Sequence, residues 1–297
     1  MKQILIVGWG AGIALANEDL PRLSPRPQLV AGVKEPGLDP GGTWRFNPAP
    51  PDGFGTSSML PDGAGWSDIQ VPGEWVMQGF TVEAGKAAGY VRSFKVPEDW
   101  KGKRIKLRCD GVYSEGTVWI NGEKAGKHLA GFTPFELDIT DLVKDGENVI
   151  AISVVNESVA DKLASGSSYA GHPLGGITRK IKLFALPSTH LSKLHVATKF
   201  DPAFRDATLE VSLAAAAEGG EASSEVQAYL TLRGPDGRRV ALTPGSIALK
   251  DLAGFSRIPV AGPAKWDSEH PNLYNLTIEL KADGKLLETV TQRVGFR

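Results

Sequence analysis

The chain has one cysteine, Cys109, in 297 residues, so it can build neither an internal disulfide nor a cysteine-rich metal site. Cys109 ends the alternating run Ile105, Leu107, Cys109, which makes it a small inward-facing hydrophobe rather than a reactive thiol. Net charge is also lacking. The 33 basic and 34 acidic residues are spread along the chain, leaving no basic patch for nucleic acid and no acidic tail for a basic partner. Such a balance suits a neutral or small ligand. No stretch reaches the ~20 apolar residues that spanning a bilayer requires. The histidines, at 128, 172, 190, 195 and 270, show no metal-ligand spacing, and no serine sits in a G-x-S-x-G elbow. No metal or other cofactor is expected. Helical periodicity is nearly absent: Thr140 can cap one turn through Val143, and Val159 to Ala164 offers another.

What the sequence has is strands. Val118-Trp119-Ile120 is a β-branched and aromatic run that stops at Asn121-Gly122, a pair that supplies the positive φ angles of a two-residue hairpin. Ile105, Leu107 and Cys109 alternate with Lys106 and Arg108, and Phe135, Leu137 and Ile139 repeat the pattern. Further strands are expected at Ile69 to Val71, Tyr90 to Val96, Val149 to Val155 and Arg179 to Phe184, each bounded by Gly, Pro, Asp or Asn. Antiparallel strands at this spacing mean a sandwich or jelly roll. Beyond Pro187-Ser188-Thr189 the alternation restarts with Leu209, Val211 and Leu213, then Val226, Ala228, Leu230 and Leu232. Turns at Pro235-Asp236-Gly237 and Asp283-Gly284 complete a pattern that fits an immunoglobulin-like sandwich without its disulfide. Ala214 to Ser224 reads as a solvated small-residue connector. The expected fold class is therefore all-β, a jelly-roll sandwich (43–187) followed by an immunoglobulin-like sandwich (188–297).

The N-terminal residues MKQILIVGWGAGIALA invite a dinucleotide reading that fails on spacing, since the third glycine of G-x-G-x-x-G would fall at Ile13. A secretory signal over residues 1–16 fits better: Lys2 as the charged end, Ile4 to Ile13 as the apolar stretch and Ala14-Leu15-Ala16 as the cleavage site. On that reading the protein is secreted or periplasmic, and otherwise cytoplasmic. Residues 17–42, proline-rich and without periodicity, read as an extended leader, with order beginning at Thr43.

Candidate chemistry is sparse. Glu157, at the end of the Ile150 to Val155 strand, has the type of a glycosidic acid or base but no second carboxylate placed beside it. Glu136 and Asp138 lie on the outward parity of their strand, where Asp138 and Thr140 fix the strand exit. Trp66, Trp75, Trp100, Trp119 and Trp266 fill core or corners, with one of them open to a sugar-stacking role. The loop Ser165 to Gly176, SGSSYAGHPLGG, carries Tyr169 and His172 and is the segment best suited to meet a ligand, the plain alternative being a crossover.

Taken in order, Gly73-Glu74-Trp75 after Val71-Pro72, Gly89-Tyr90 to Val96-Pro97, VWINGEKAGKHLAGFTPFELDIT, Gly146-Glu147-Asn148, Gly175-Gly176-Ile177-Thr178-Arg179, WDSEHPNLYNL and VGFR resemble the N-terminal part of glycoside hydrolase family 2. That family includes β-galactosidases, β-glucuronidases and β-mannosidases, and the resemblance covers Thr43 to Arg297. It implies a jelly-roll sugar-binding domain, an immunoglobulin-like domain and then a TIM barrel carrying an acid/base glutamate and a nucleophile glutamate. The sequence stops at Gly295-Phe296-Arg297, where that barrel would start, so no catalytic residue is carried over and the chain alone is expected to be inactive. Family members often send an aspartate toward the barrel six residues ahead of the glycine that precedes isoleucine. Here that position is Ala170. Tyr169, His172 and Asp161 remain as substrate-edge candidates, with a β-glycoside as the implied partner. A free-standing carbohydrate-binding module and a structural or adhesive β protein remain as alternatives.

Overall fold

The computed structural model describes residues 23–163, 172–217 and 225–297. These form two β-sandwiches in series. The signal-like residues 1–16 and the fingerprint glycines lie outside the described residues.

The first sandwich packs a six-stranded antiparallel sheet on a four-stranded one. The larger runs, in spatial order, Ser67–Val71, Gly42–Asn47, Ala87–Val96, Gly146–Val155, Glu115–Ile120 and Glu123–Leu129. The smaller runs Phe135–Asp138, Arg104–Cys109, Ile181–Leu186 and Gly37–Leu38. Period-2 alternation decides the core. Ile105, Leu107 and Cys109 meet Trp44, Phe46, Tyr90, Ile120 and Ile152 between the sheets, and burial drives the Cys109 thiol pKa far up, so it stays a protonated, inert packing group. The hairpin is the one expected: Asn121 has φ 52° and Gly122 φ 87°. Asn121 Oδ1 accepts the Val149 N–H at 2.9 Å, and its amide donates to Asn148 Oδ1 at 2.8 Å. Asn148 is fully buried, and its amide donates in turn to the Lys144 and Gly146 carbonyls. A buried polar side chain is tolerated here because its donors and acceptors are satisfied.

At the strand exit Asp138 Oδ1 accepts both the N–H and the hydroxyl of Thr140, whose Oγ1 accepts the Ile105 N–H. Burial would raise the Asp138 carboxyl, but those bonds and the Arg104 guanidinium outweigh it and hold the group below the usual carboxylate range. Thr140 starts a single turn closed by Val143 N–H to Ile139 C=O. The second expected turn is the helix Val159–Leu163.

The second sandwich faces a three-stranded sheet, His190–Phe200, Ala207–Ala216 and Ala253–Val260, against a larger sheet. That sheet is ordered Leu29–Val30, Lys285–Gly295, Leu273–Ala282, Val226–Arg233 and Arg239–Val240, with Ser246–Ala248 also on Val226–Arg233. Leu209, Val211 and Leu213 bury against Leu230, Leu232, Leu276 and Ile278. Ala214, Ala215 and Ala216 are strand rather than connector, because pairing with His190–Phe200, joined at Ala214 by Ala253–Val260, extends the ladder past the point where apolar alternation fades.

Of the expected leader, residues 23–42 are described, and pairing begins at Leu29 rather than Thr43. Leu29–Val30 joins the second sandwich through Lys285–Gly295, and Gly37–Leu38 joins the first through Ile181–Leu186. Backbone hydrogen bonds, invisible to hydrophobic periodicity, hold this segment to both halves. It also explains Glu136, which points away from the core yet is only 4% exposed. The Ser24 N–H donates to Glu136 Oε2 at 2.8 Å and covers it.

Where the sandwiches join, two titratable groups are buried. His190 Nδ1–H donates to the Pro187 carbonyl at 3.1 Å, and burial, then Lys106, pulls its pKa down to about 4. Glu288 is fully buried. Its Oε1 accepts the Leu191 N–H at 2.5 Å, and Oε2 has no partner among the described residues.

Candidate functional site

The Gly-Gly-Ile-Thr-Arg segment closes one end of the first sandwich. Gly176–Ile177 pairs with Gly73–Glu74, and Tyr113 bridges to Gly176. Trp75 is buried against this crossing, and its N–H donates to the Gly175 carbonyl. A Cβ at position 175 would lie 2.0 Å from the Trp75 ring, and one at 176 would lie 2.9 Å from the Gly73 carbonyl with φ at +124°. Both glycines are therefore required by close approach.

This crossing places His172 beside Glu74, with Nε2 to Oε1 at 2.7 Å. The pair is only partly covered, at 32% and 16% side-chain exposure, so the imidazole retains an open face. Asp161 sits differently. It is buried, and the Tyr113 hydroxyl donates to its Oδ1. The same Tyr113 ring packs on Phe132 at 5.0 Å between centroids. Phe132 and Leu129 are each 47% exposed, and Val159, which opens the helix carrying Asp161, is 63% exposed. One end of the sandwich thus presents a histidine hydrogen-bonded to a glutamate, a buried tyrosine–aspartate pair and an exposed apolar rim.

Tyr169 and Ala170 lie outside the described residues. Glu157 has φ 47° and is exposed at a turn, while its neighbour Asn156 is buried with Oδ1 unpartnered among the described residues. Glu157 is not brought to His172, Glu74 or Asp161 by any hydrogen bond or ion pair among the described residues. Glu74, Tyr113 and Phe132 were missed by sequence reasoning. Gly73-Glu74-Trp75 stood out as a motif, but nothing local indicated that its carboxylate meets a histidine 98 residues away.

Among the aromatic candidates, Trp75 and Trp100 are buried. Trp66 and Trp119 flank Phe54 at 5.9 and 6.0 Å on the outer face of the larger sheet. Trp266 lies under the Arg297 guanidinium at 5.6 Å. No group of His, Cys, Asp and Glu among the described residues has the arrangement of a metal site. No helix among them is long and apolar enough to cross a membrane.

Comparison with known proteins agrees with this architecture. The profile described as "Glycosyl hydrolases family 2, sugar binding domain" matches residues 41–187, and that described as "Glycosyl hydrolases family 2" matches residues 189–297. A β-galactosidase of Priestia megaterium is 30% identical over 259 residues, 78% of this chain and 25% of that protein. A putative β-glucuronidase of Formosa agariphila is 30% identical over 240 residues, 79% of this chain and 28% of that protein. The crystal structure of Bacteroides uniformis β-glucuronidase superposes with a TM-score of 0.75 at 25% identity, covering 88% of this chain and 32% of that one. The β-glucuronidase of Bifidobacterium dentium complexed with coumarin-3-O-glucuronide shares the fold, with a TM-score of 0.71 at 20% identity over 88% of this chain and 48% of that one. The chain thus spans 24% to 30% of the length of the first curated relatives it matches. Two adjacent profiles of one family account for nearly everything from residue 41 onward, and the chain belongs to glycosyl hydrolases family 2.

Proposed function

We propose that these two sandwiches are the non-catalytic N-terminal part of a retaining β-glycosidase acting on β-galactosides or β-glucuronides, and that they support and edge an active site built by a catalytic barrel beyond them. The observation that carries this reading is coverage. The chain matches two successive domains of the family but no more than 30% of the length of its glycosidase relatives. Retaining hydrolysis needs two carboxylates ~5–5.5 Å apart, one as nucleophile and one as acid/base. The carboxylates at the exposed end of the first sandwich are committed otherwise, Glu74 to His172 and Asp161 to Tyr113. Their role is to hold the edge in shape. His172 is the described candidate for touching substrate, Tyr169 the candidate outside the described residues, and Asp161 supports through Tyr113. The rim of Phe132, Leu129 and Val159 is the surface on which a catalytic domain would seat.

Antibodies raised against residues 23–297 test this reading in extracts of the native source. Immunodepletion should remove aryl β-galactosidase or β-glucuronidase activity together with a polypeptide several times longer than 297 residues. Depletion of a polypeptide of only this length, with activity left behind, would overturn it and favour a free-standing carbohydrate-binding module.

A further inference from the structure

A second feature lies away from that edge, between the two sandwiches. A cleft of about 770 Å³ is floored by the outer face of the first sandwich's smaller sheet and roofed by Leu194, Thr291 and Gln292 of the second. Its volume falls in the range of small-molecule sites, ~300–1,000 Å³. Strand register brings Lys182 directly opposite Arg108 on that floor, and Arg26 of the connecting segment enters from the side.

The cations here are not equivalent. Arg108 is matched by Asp110 at 2.7 Å and Glu136 at 3.5 Å. Lys106 is bonded to the Ser24 hydroxyl at 2.6 Å and faces Glu136. Lys182 and Arg26 have no ion pair or hydrogen-bonded partner among the described residues, although Lys182 is half-buried. Burial, then the nearby Arg26 charge, holds the Lys182 ammonium below its usual pKa, only partly offset by Asp110 and Asp39. A cation in that position gains from a bound anion. Glu35 and Asp39 also line the cleft, and Asp39 Oδ1 accepts the Gly41 N–H at 2.9 Å. Two unmatched cations beside two carboxylates suit a ligand with a single negative charge better than a doubly charged phosphate.

We propose that this interdomain cleft binds a carboxylated saccharide, its carboxylate on Arg26 and Lys182 and its hydroxyls on Gln28, Thr291 and Gln292. Charge-assisted bonds from a guanidinium and an ammonium supply the anchor, and side-chain amides and a hydroxyl satisfy the polyol. That the ligand is a sugar rests on the carbohydrate reading above. That the cleft takes a monoanion rests on its own charges, so its failure would leave the glycosidase assignment standing.

Titration calorimetry on the purified 297-residue chain tests this with three probes: a glucuronate-containing disaccharide, the corresponding neutral disaccharide and inorganic phosphate. The uronate should bind ~10-fold or more tightly than either of the others, and weaken as salt rises. R26Q and K182Q should each weaken uronate binding by ~10-fold with thermal unfolding unchanged. Arg26 is exposed, so R26Q decides the matter if K182Q misfolds. Binding of the neutral sugar or of phosphate as tightly as the uronate overturns the proposal, as does R26Q binding the uronate like the parent.

Discussion

Replacing Glu288 by glutamine should stabilise the protein at neutral and alkaline pH and leave it unchanged in acid. Glu288 lies fully buried in strand Lys285–Gly295, opposite Val30 of the connecting segment. Burial pushes its carboxyl from 4.5 up to about 8, and the single N–H from Leu191 offsets only part of that. The folded protein therefore holds a proton between pH 4.5 and about 8 that the unfolded chain releases. Stability rises with pH only where the unfolded state binds more protons, so here it falls. The contribution is whole below pH 4.5 and is lost as pH rises through about 8. At ~1.4 kcal/mol per pH unit, the full window amounts to ~5 kcal/mol as a ceiling, and ~3 kcal/mol by pH 7. Glutamine keeps an acceptor for the Leu191 N–H and removes the titration. In urea melts from pH 4.5 to 8.5, E288Q and the parent should coincide at the acid end and separate in favour of E288Q by ~3 kcal/mol near neutrality. Parallel curves across that range, or an E288Q protein weaker at pH 8, would refute the reasoning.

Four further outcomes follow from contacts elsewhere in the fold. His190 has the opposite sign: its pKa is depressed to about 4, so its contribution is present above pH 6.5 and lost as pH falls through about 4. H190Q should flatten the acid limb of the urea series, by ~3 kcal/mol at most. Gly175→Ala drives a methyl group to 2.0 Å from the Trp75 ring. It should cost ~2–4 kcal/mol, read as a lowered denaturation midpoint and a shifted tryptophan emission. Tyr113→Phe removes the hydroxyl donor from buried Asp161 and should cost ~1–3 kcal/mol, whereas Glu157→Gln, at an exposed turn, should leave the midpoint within ~0.5 kcal/mol.

Most of the fold was legible because its signals are local. Asn121-Gly122 dictates its own hairpin, and Ile105, Leu107 and Cys109 declare a buried face by alternation alone. Strand His190–Phe200 was not legible, since its residues are mostly only partly buried and mix Lys and His with Leu and Val. Leu29–Val30 and Gly37–Leu38 were missed for a related reason: two-residue pairings rest on backbone hydrogen bonds, which carry no side-chain signature. The candidate edge was legible in part. His172 stood out in its loop, but Glu74 and Tyr113 reach it and Asp161 across 98 and 48 residues of sequence. Glu136 shows the same limit, because its outward parity was correct while its burial depended on Ser24, 112 residues away.

The central claim is that these sandwiches carry the family's scaffold and not its chemistry. The most direct measurement is release of the aryl group from β-galactosides, β-glucuronides and β-mannosides by the purified 297-residue chain. The account predicts a rate no greater than buffer alone, for the parent and for E157Q alike. Turnover by the parent that E157Q abolishes would contradict it.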